Sequence, residues 1–476
     1  MPDATITAQL ALLGWLPLSV LVFRIARPSI AIPLLMIAPA MFLPEDTVFE
    51  MKGLPDLDKH TIGVGCVAFN LLFRRVTLIA LRPELRVPAG FFALLVGGAV
   101  LTAATNLDPL PILGEKALRP YDGLSMAADD VLRIGFPFLI GCVTVRSIGA
   151  LRTMLMVLAA AGVGYSLLAL YEARMSPQLH AMVYGMHQNE VSKSYRLGGF
   201  RPMVFMQTGL ALAIFMLSTV MAAATLARSR MNVFRLPGIF VFAYLVVVLV
   251  LCRSLGTLVY AAAFLPILFL PRQKLSLALI LLALGTGSYP LLRATNVMPT
   301  EAIVSSAERV SPDRAQSLGF RFRNEDVLLR KALQRPLFGW GGFGRNRVFD
   351  PSTLRDLTIT DGFWIIQFGQ RGWVGLVAIL GLILIPVVRA ARLASRLPDK
   401  GDAALLSGLA LIVVVRFVDM LPNGWYDVHV MFFAGVLTGL AYELDHAQAF
   451  EFEPSEETQA ERTASGVQPE LAPTRS

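Results

Sequence analysis

Long apolar runs, separated by polar stretches, recur along the chain from residue 6 to residue 442. Thirteen fit this pattern: 6–23, 28–43, 60–73, 88–104, 126–145, 151–171, 203–226, 236–252, 255–271, 275–292, 372–388, 403–420 and 425–442. A helix of about 20 residues crosses the roughly 30 Å hydrocarbon core of a bilayer. The pattern therefore predicts an all-α polytopic membrane protein with 12 or 13 transmembrane helices. The run at 60–73 is the shortest, below the usual minimum of about 17 residues, and it sets the parity of every later span. The chain divides into a bundle of about ten spans (1–292), a large loop (293–371), the last spans (372–442) and a polar tail (443–476).

Composition sharpens the picture. Of 476 residues, 55% are hydrophobic and 16% charged, against roughly 45–50% and about 25% in an ordinary soluble chain. This excludes a disordered chain and argues against a soluble enzyme. The net charge of +8 invites a nucleic-acid reading, but the distribution of charge explains it without one, so nucleic acid is not an expected partner. The tail holds eight acids and two arginines, and its Pro, Ser, Thr and Gln content predicts disorder.

Basic residues in short loops set orientation, because such loops stay cytoplasmic. One side carries seventeen Lys or Arg, among them Arg24, Arg74, Arg75, Arg82, Arg152, Arg228 and Arg272; the other carries nine, including Lys52, Lys116 and Arg253. The N-terminus is thus expected outside and the tail inside. No basic region precedes the first apolar run, so a cleaved signal peptide is not expected. The outer face then holds the loops 44–59, 105–125, 172–202 and 293–371. The last is too long for an idle connector. Its twelve Lys or Arg against eight Asp or Glu suggest an anionic ligand.

No P-loop, dinucleotide-binding fingerprint, HExxH or paired CxxC occurs, so ATP-driven pumping and a structural zinc site lack sequence support. Cys66, Cys142 and Cys252 sit in or beside apolar runs and read as core residues. The stretch Arg321–Arg335 reads as an amphipathic helix ended by Pro336, able to lie in the headgroup layer. Pro336-Leu-Phe-Gly-Trp-Gly-Gly-Phe-Gly-Arg345 follows as a compact loop whose Trp340 suits a sugar face or the interface.

Arginine presents a planar donor fork to phosphate oxygens. Arg201, Arg253, Arg345 and Arg347 are candidates to converge on a diphosphate, the alternative for each being local pairing or snorkelling. Arg253, between two spans, is the strongest, since a charge there is costly. Arg323, on the amphipathic helix, joins the binding set. Asp361 is the candidate base for a glycosyl transfer, or else a turn or helix-capping residue in Asp-Gly. His187 and His180 are base candidates or interface residues. Glu325 is a binding candidate or a solvated helix-face residue. Asp129, Asp130 and Arg133, like Arg416 and Asp419, stand at spacings that suit intrahelical ion pairs; a proton or ion pathway is the alternative.

The loop 335–345, following an arginine-rich helix in a large outer loop, resembles the O-antigen ligase superfamily, which includes Wzy-type polysaccharide polymerases. Arg253 matches an outer-end arginine of that superfamily. The stretches Tyr184–Gln188 and Gly199–Met206 look like a branch linked with exopolysaccharide production. The resemblance covers spans two to thirteen. It implies a GT-C-like fold in the bacterial inner membrane and glycan transfer at the periplasmic face without metal or nucleotide. The implied partners are an undecaprenyl-diphosphate-linked oligosaccharide, an acceptor glycan and polysaccharide export proteins, with arginines holding the leaving diphosphate. Ligases carry a His-Asn-like element where this chain has Thr360-Asp361-Gly362, which favours a polymerase. The alternatives are a ligase that moves glycan to lipid A-core or protein, and a flippase for lipid-linked sugar.

Overall fold

The structure, a computed structural model, describes residues 5–50, 55–73, 85–110, 117–196, 198–233, 235–309, 312–350, 352–359 and 361–452. About 74% of the chain is helical, with almost no sheet, so the protein is all-α. The first half comprises α1 (Ile6–Ile25), α2 (Pro28–Phe42), α3 (Lys59–Phe73), α4 (Arg86–Thr105), α5 (Pro120–Asp130), α6 (Phe136–Thr144), α7 (Ile148–Met175), the short α8 (Leu179–Tyr184) and α9 (Gly209–Arg228). Then come α10 (Gly238–Leu251), α11 (Leu255–Phe264), α12 (Arg272–Ala294), α13 (Thr300–Glu308), α14 (Pro312–Ala332), α15 (Phe363–Ala394), α16 (Lys400–Met420) and α17 (Val428–Phe452). Eight of these are long and apolar enough to cross a membrane: α1, α4, α7, α9, α12, α15, α16 and α17. Shorter apolar helices occupy 28–42, 59–73, 238–251 and 255–269. Through a π-helical stretch at Val131–Gly135, α5 and α6 run on as one helix. Each of the thirteen apolar runs is therefore helical, and the protein is a multi-pass membrane protein.

Local chemistry sets the helix starts. Thr5, Ser147, Thr208 and Asp399 cap α1, α7, α9 and α16, each side chain accepting a backbone N–H of the first turn. Pro28 opens α2, where its missing N–H costs nothing. The core forms around α9 and α16, which are almost wholly buried. Peripheral helices expose apolar rows such as Leu10 and Leu13 on α1 and Leu277, Leu281 and Leu284 on α12, which suits contact with lipid. Glycines let α6 and α17 meet backbone to backbone. A Cβ at Gly435 would lie 2.0 Å from the Phe138 carbonyl oxygen, and one at Gly439 2.1 Å from that of Cys142.

Four expectations change. The amphipathic helix expected from Arg321 begins at Pro312, and its apolar residues Leu328, Leu329 and Ala332 are buried against the protein rather than free for the headgroups. The eleventh span, expected from residue 372, is α15, which starts at Phe363. The last helix continues to Phe452, so the tail expected to be disordered from Glu443 is helical for its first ten residues; residues 453–476 lie outside the described residues, as do Lys52, Arg74, Arg75, Arg82 and Lys116 of the charge count. The pair Arg416–Asp419 is not made. Arg416 bridges Asp427 instead. The i,i+4 pair Arg133–Asp129 does form, at 2.7 Å, but Asp130 binds Arg371 of α15. Cys66, Cys142 and Cys252 are buried, and none of them forms a disulfide.

Candidate functional site

A hollow of about 1020 Å³ opens at the end of the bundle where the loops 172–202 and 293–371 gather. Its geometry begins at a backbone oddity. Arg253, in the turn between α10 and α11, has φ 51, a conformation that costs a non-glycine residue free energy and persists only where its surroundings hold it. Its guanidinium lies against Gly199 in the small hairpin β1 (Tyr195–Arg196) and β2 (Gly199–Phe200). A Cβ on Gly199 would fall 1.5 Å from Arg253 Nη1, so only glycine leaves room. Arg201, just after β2, lies over Gly209, the first residue of α9, where a Cβ would sit 2.6 Å from Arg201 Cγ. Arg201 Nη2 donates to Ser254 Oγ at 3.0 Å, which ties it to the Arg253 turn. Two bare glycines thus seat two arginines side by side.

The hollow carries more charge than this pair. Arg196 and Arg321 also line it, facing the carboxylates of Glu190, Asp361 and Asp419. The N-terminus of the 20-residue α9 opens on it through Thr208, Gly209 and Leu210, and a helix N-terminus carries partial positive charge that suits an anion. Asp361 is half-buried; Gly362, with φ 113, stands at the N-cap of α15 with no side-chain cap, so Asp361 is not that cap. Asp419 is buried. One of its carboxylate oxygens accepts from Asn423 Nδ2 at 3.0 Å, while Oδ2 has no hydrogen-bond partner among the described residues. Tyr260 and Trp425 add aromatic surface. Among the described residues, no group of three or more His, Cys, Asp or Glu could hold a metal ion.

Of the residues singled out from sequence, Arg201, Arg253, Asp361 and Asp419 share this hollow. The others do not line it. Arg345 is fully buried, its Nε donating to the Trp340 carbonyl at 3.2 Å and its Nη2 to the Asp108 carbonyl at 3.0 Å. Arg347 pairs with Asp356 at 3.2 Å. Trp340 is buried with its Nε1 on the Lys331 carbonyl, and Lys331 and Arg335 cover its ring at 3.5 and 4.3 Å. Glu325 is buried too; it takes Arg293 Nε at 3.0 Å, Tyr289 OH at 3.1 Å and Trp364 Nε1 at 3.1 Å, which fastens α12, α14 and α15 together. Arg323 is exposed and lies outside the hollow, and so does the exposed His187 beside the lining residue Gln188. His180 is buried with both ring nitrogens engaged, Nδ1 with the Met186 carbonyl and Nε2 with the Glu45 N–H.

The glycine-rich loop has a structural task. At Gly372 (φ 63, ψ −167) α15 breaks, which takes backbone groups out of its helical ladder. The loop fills them. Trp340 N and Gly341 N donate to the carbonyls of Gly369 and Gln370 at 2.8 and 2.9 Å, while Trp373 N and Val374 N donate to those of Pro336 and Leu337 at 2.8 and 3.2 Å. Gly339, Gly341 and Gly344 all have positive φ, which this path requires. The expected convergence of Arg345, Arg347 and Trp340 with Arg253 is therefore corrected: that loop splices a broken helix. No protein-family model matches the chain, and no curated protein sequence matches it.

Sequence reasoning missed Arg196, Arg321 and Tyr260 as site residues, and had Asp419 only as an ion-pair or pathway residue. Arg321 stands two residues before Arg323 on α14, and only the helix's packed orientation separates them. Asp419 was legible as a charge inside an apolar run, the same signal that marks Arg253; its spacing from Arg416 suggested a pair that the fold does not make.

Proposed function

We propose that the protein is a glycosyltransferase of the outer face of the inner membrane, using a lipid-diphosphate-linked oligosaccharide as donor to extend a glycan. The observation that carries this reading is the seating of Arg201 and Arg253 on Gly199 and Gly209 at the positive end of α9. Fixed guanidinium groups that meet the charge developing on a departing diphosphate lower the barrier without reorganising. The cavity volume suits a large polar ligand. In this reading Arg201 and Arg253, with Arg196 and Arg321, hold the diphosphate, and Asp361 and Asp419 meet the donor sugar. The lipid tail extends into the bilayer. The resemblance to O-antigen ligases and Wzy-type polymerases supports the same chemistry, now with the leaving group on these arginines.

The opposite end of the bundle supports the orientation proposed here. There a cleft is lined by Arg152, Arg228, Arg230, Arg272 and Lys400, the kind of basic surface that stays cytoplasmic. The arginine hollow then faces out, where lipid-linked glycans are joined.

The test is the glycan of cells lacking the protein. Loss of long polymer with single repeats still present supports a polymerase. Long lipid-linked polymer that accumulates unattached supports a ligase. Normal glycan in every fraction would overturn the transferase reading, and repeat units trapped on the cytoplasmic face would make the protein a flippase.

A further inference from the structure

Beside the arginine hollow lies a second chamber of about 340 Å³, and Gln207 and Trp425 line both spaces. Its walls are unusually rich in titratable groups for an interior so close to the bundle core. The loop after α2 supplies Glu45 and Asp46, the start of α3 supplies Asp58, Lys59 and His60, and the π-helical stretch supplies Arg133. From the other side come Arg416 of α16, Asp427 of the following loop and His429 of α17. Most of these charges are matched. Lys59 pairs with Glu45, Arg133 with Asp58 at 2.9 Å, and Arg416 with Asp427.

Two imidazole nitrogens of the chamber, His60 Nδ1 and His429 Nε2, are buried without a hydrogen-bond partner among the described residues; the ring whose other nitrogen meets a carboxylate is that of His429. It is buried, and its Nδ1 lies 2.7 Å from Asp427 Oδ1. Asp427 is outside the helices, and its carboxyl is held below the usual range: burial pushes it up, but the charge of Arg416 and the hydrogen bonds from His429 and Arg416 pull it further down. An ionised carboxylate only accepts, so Nδ1 carries a hydrogen, and in the neutral ring Nε2 is the nitrogen with the lone pair. That Nε2 is buried and has no hydrogen-bond partner among the described residues. Arg416 Nη2 stands 3.4 Å from Nδ1, but it is itself a donor and is engaged with Asp427. The result is an imidazole with one nitrogen oriented by a carboxylate and the other left without a partner, the arrangement a general base needs.

We propose that the chamber receives the terminal sugar of the acceptor glycan and that His429 Nε2 is the base for its attacking hydroxyl. The inference rests on the transferase reading above. A sugar fits the lining: carboxylates and imidazoles accept hydroxyl hydrogens, and Trp425 and Tyr426 offer ring faces. The shared wall at Gln207 and Trp425 sets the acceptor next to the donor. In the step itself, the acceptor oxygen forms a bond to the anomeric carbon of the donor sugar. The bond from that carbon to the phosphate oxygen breaks, and its electron pair leaves with the lipid diphosphate held by Arg201 and Arg253. The hydroxyl proton passes to His429 Nε2, and Asp427 stabilises the resulting imidazolium. Asp427 is a positioning residue. Asp361, the base expected from sequence, lies on the donor side of the wall.

The test uses full-length purified protein and the lipid-linked oligosaccharide that accumulates in cells lacking it. For His429→Gln the expected result is a loss of turnover of about 100-fold or more, the usual size of a general-base contribution, with donor binding kept. Asp427→Asn still caps α17. It should lower turnover and move the acidic limb of the rate–pH profile to lower pH, because losing the carboxylate makes the imidazolium easier to deprotonate. A merely structural role would reduce folded protein and leave the profile in place. Full turnover by His429→Gln, an unmoved profile in folded Asp427→Asn, or loss of the acidic limb in Asp361→Asn instead would each overturn the inference alone. No transfer by the wild-type protein would overturn the transferase reading, and the base with it.

Discussion

At the residue scale, burial and pairing separate arginines that look alike in sequence. Arg345 closes internal carbonyls, so Arg345→Ala leaves buried acceptors unmatched, a cost of about 1–3 kcal/mol for each group. The expected outcome is less folded protein in the membrane, read as amount and melting temperature. Arg253→Ala should leave that amount unchanged while donor binding is lost, and Arg253→Lys should not restore it, because a point charge does not reproduce the planar fork. Acidification has its own signature. The Asp58 carboxyl sits below the ordinary range, since the charges of His60 and Arg133 and the Thr61 N–H outweigh the upward push of burial, and Asp427 is lowered likewise. A depressed carboxyl contributes stability above its unfolded value that is lost as pH falls through the folded one. The melting temperature should therefore drop as pH falls below about 4. An unchanged melting temperature there would contradict the assigned pairs. Arg253 was legible because a lone charge between apolar runs needs a reason. Arg345 and Glu325 were not, because their partners, Asp108 and Arg293, are brought by the fold. His429 and Asp427 carry no motif at all: they stand in a short connection and gain meaning only from the chamber around them.

At the element scale, the apolar runs were readable as helices because length and hydropathy alone decide that outcome in a bilayer. The breaks were not. Gln367, Gln370 and Arg371 made the start of α15 look like loop, yet Arg371 is held by Asp130, with Nε at 3.1 Å, and by Gln367 at 2.7 Å, so the polar turn is helical and inside. The glycine-rich loop was visible as compact, but its purpose depends on the break at Gly372, which no local pattern announces. A Cβ at Gly372 would lie 2.2 Å from the Leu337 carbonyl oxygen. Gly372→Ala should therefore displace the loop from the helix and cost folded protein. Gly435→Leu should do the same by forcing α17 off α6. Gly164→Ala on α7 has open space around it and is the matched control. Wild-type stability in Gly372→Ala or Gly435→Leu would show that these close approaches are not formed.

At the scale of the whole molecule, one end gathers the arginine hollow and the ionisable chamber, and the other gathers a basic cleft. That polarity predicts sidedness. A membrane-impermeant thiol reagent should label Ser352→Cys in intact spheroplasts and Pro398→Cys only after lysis, since both positions are exposed and the natural thiols are buried; the reverse pattern would turn the hollow inward. The division of labour proposed here places departure of the lipid diphosphate at Arg201 and Arg253 and arrival of the acceptor next door. Its most direct test is to incubate purified wild-type protein and Arg253→Ala with the accumulated lipid-linked oligosaccharide, without nucleotide, and to follow released lipid diphosphate alongside glycan length. The account predicts that wild type releases lipid diphosphate in step with longer glycan and that Arg253→Ala, equally folded, does neither. Longer glycan made at the wild-type rate by Arg253→Ala, or no release by the wild type, would contradict it.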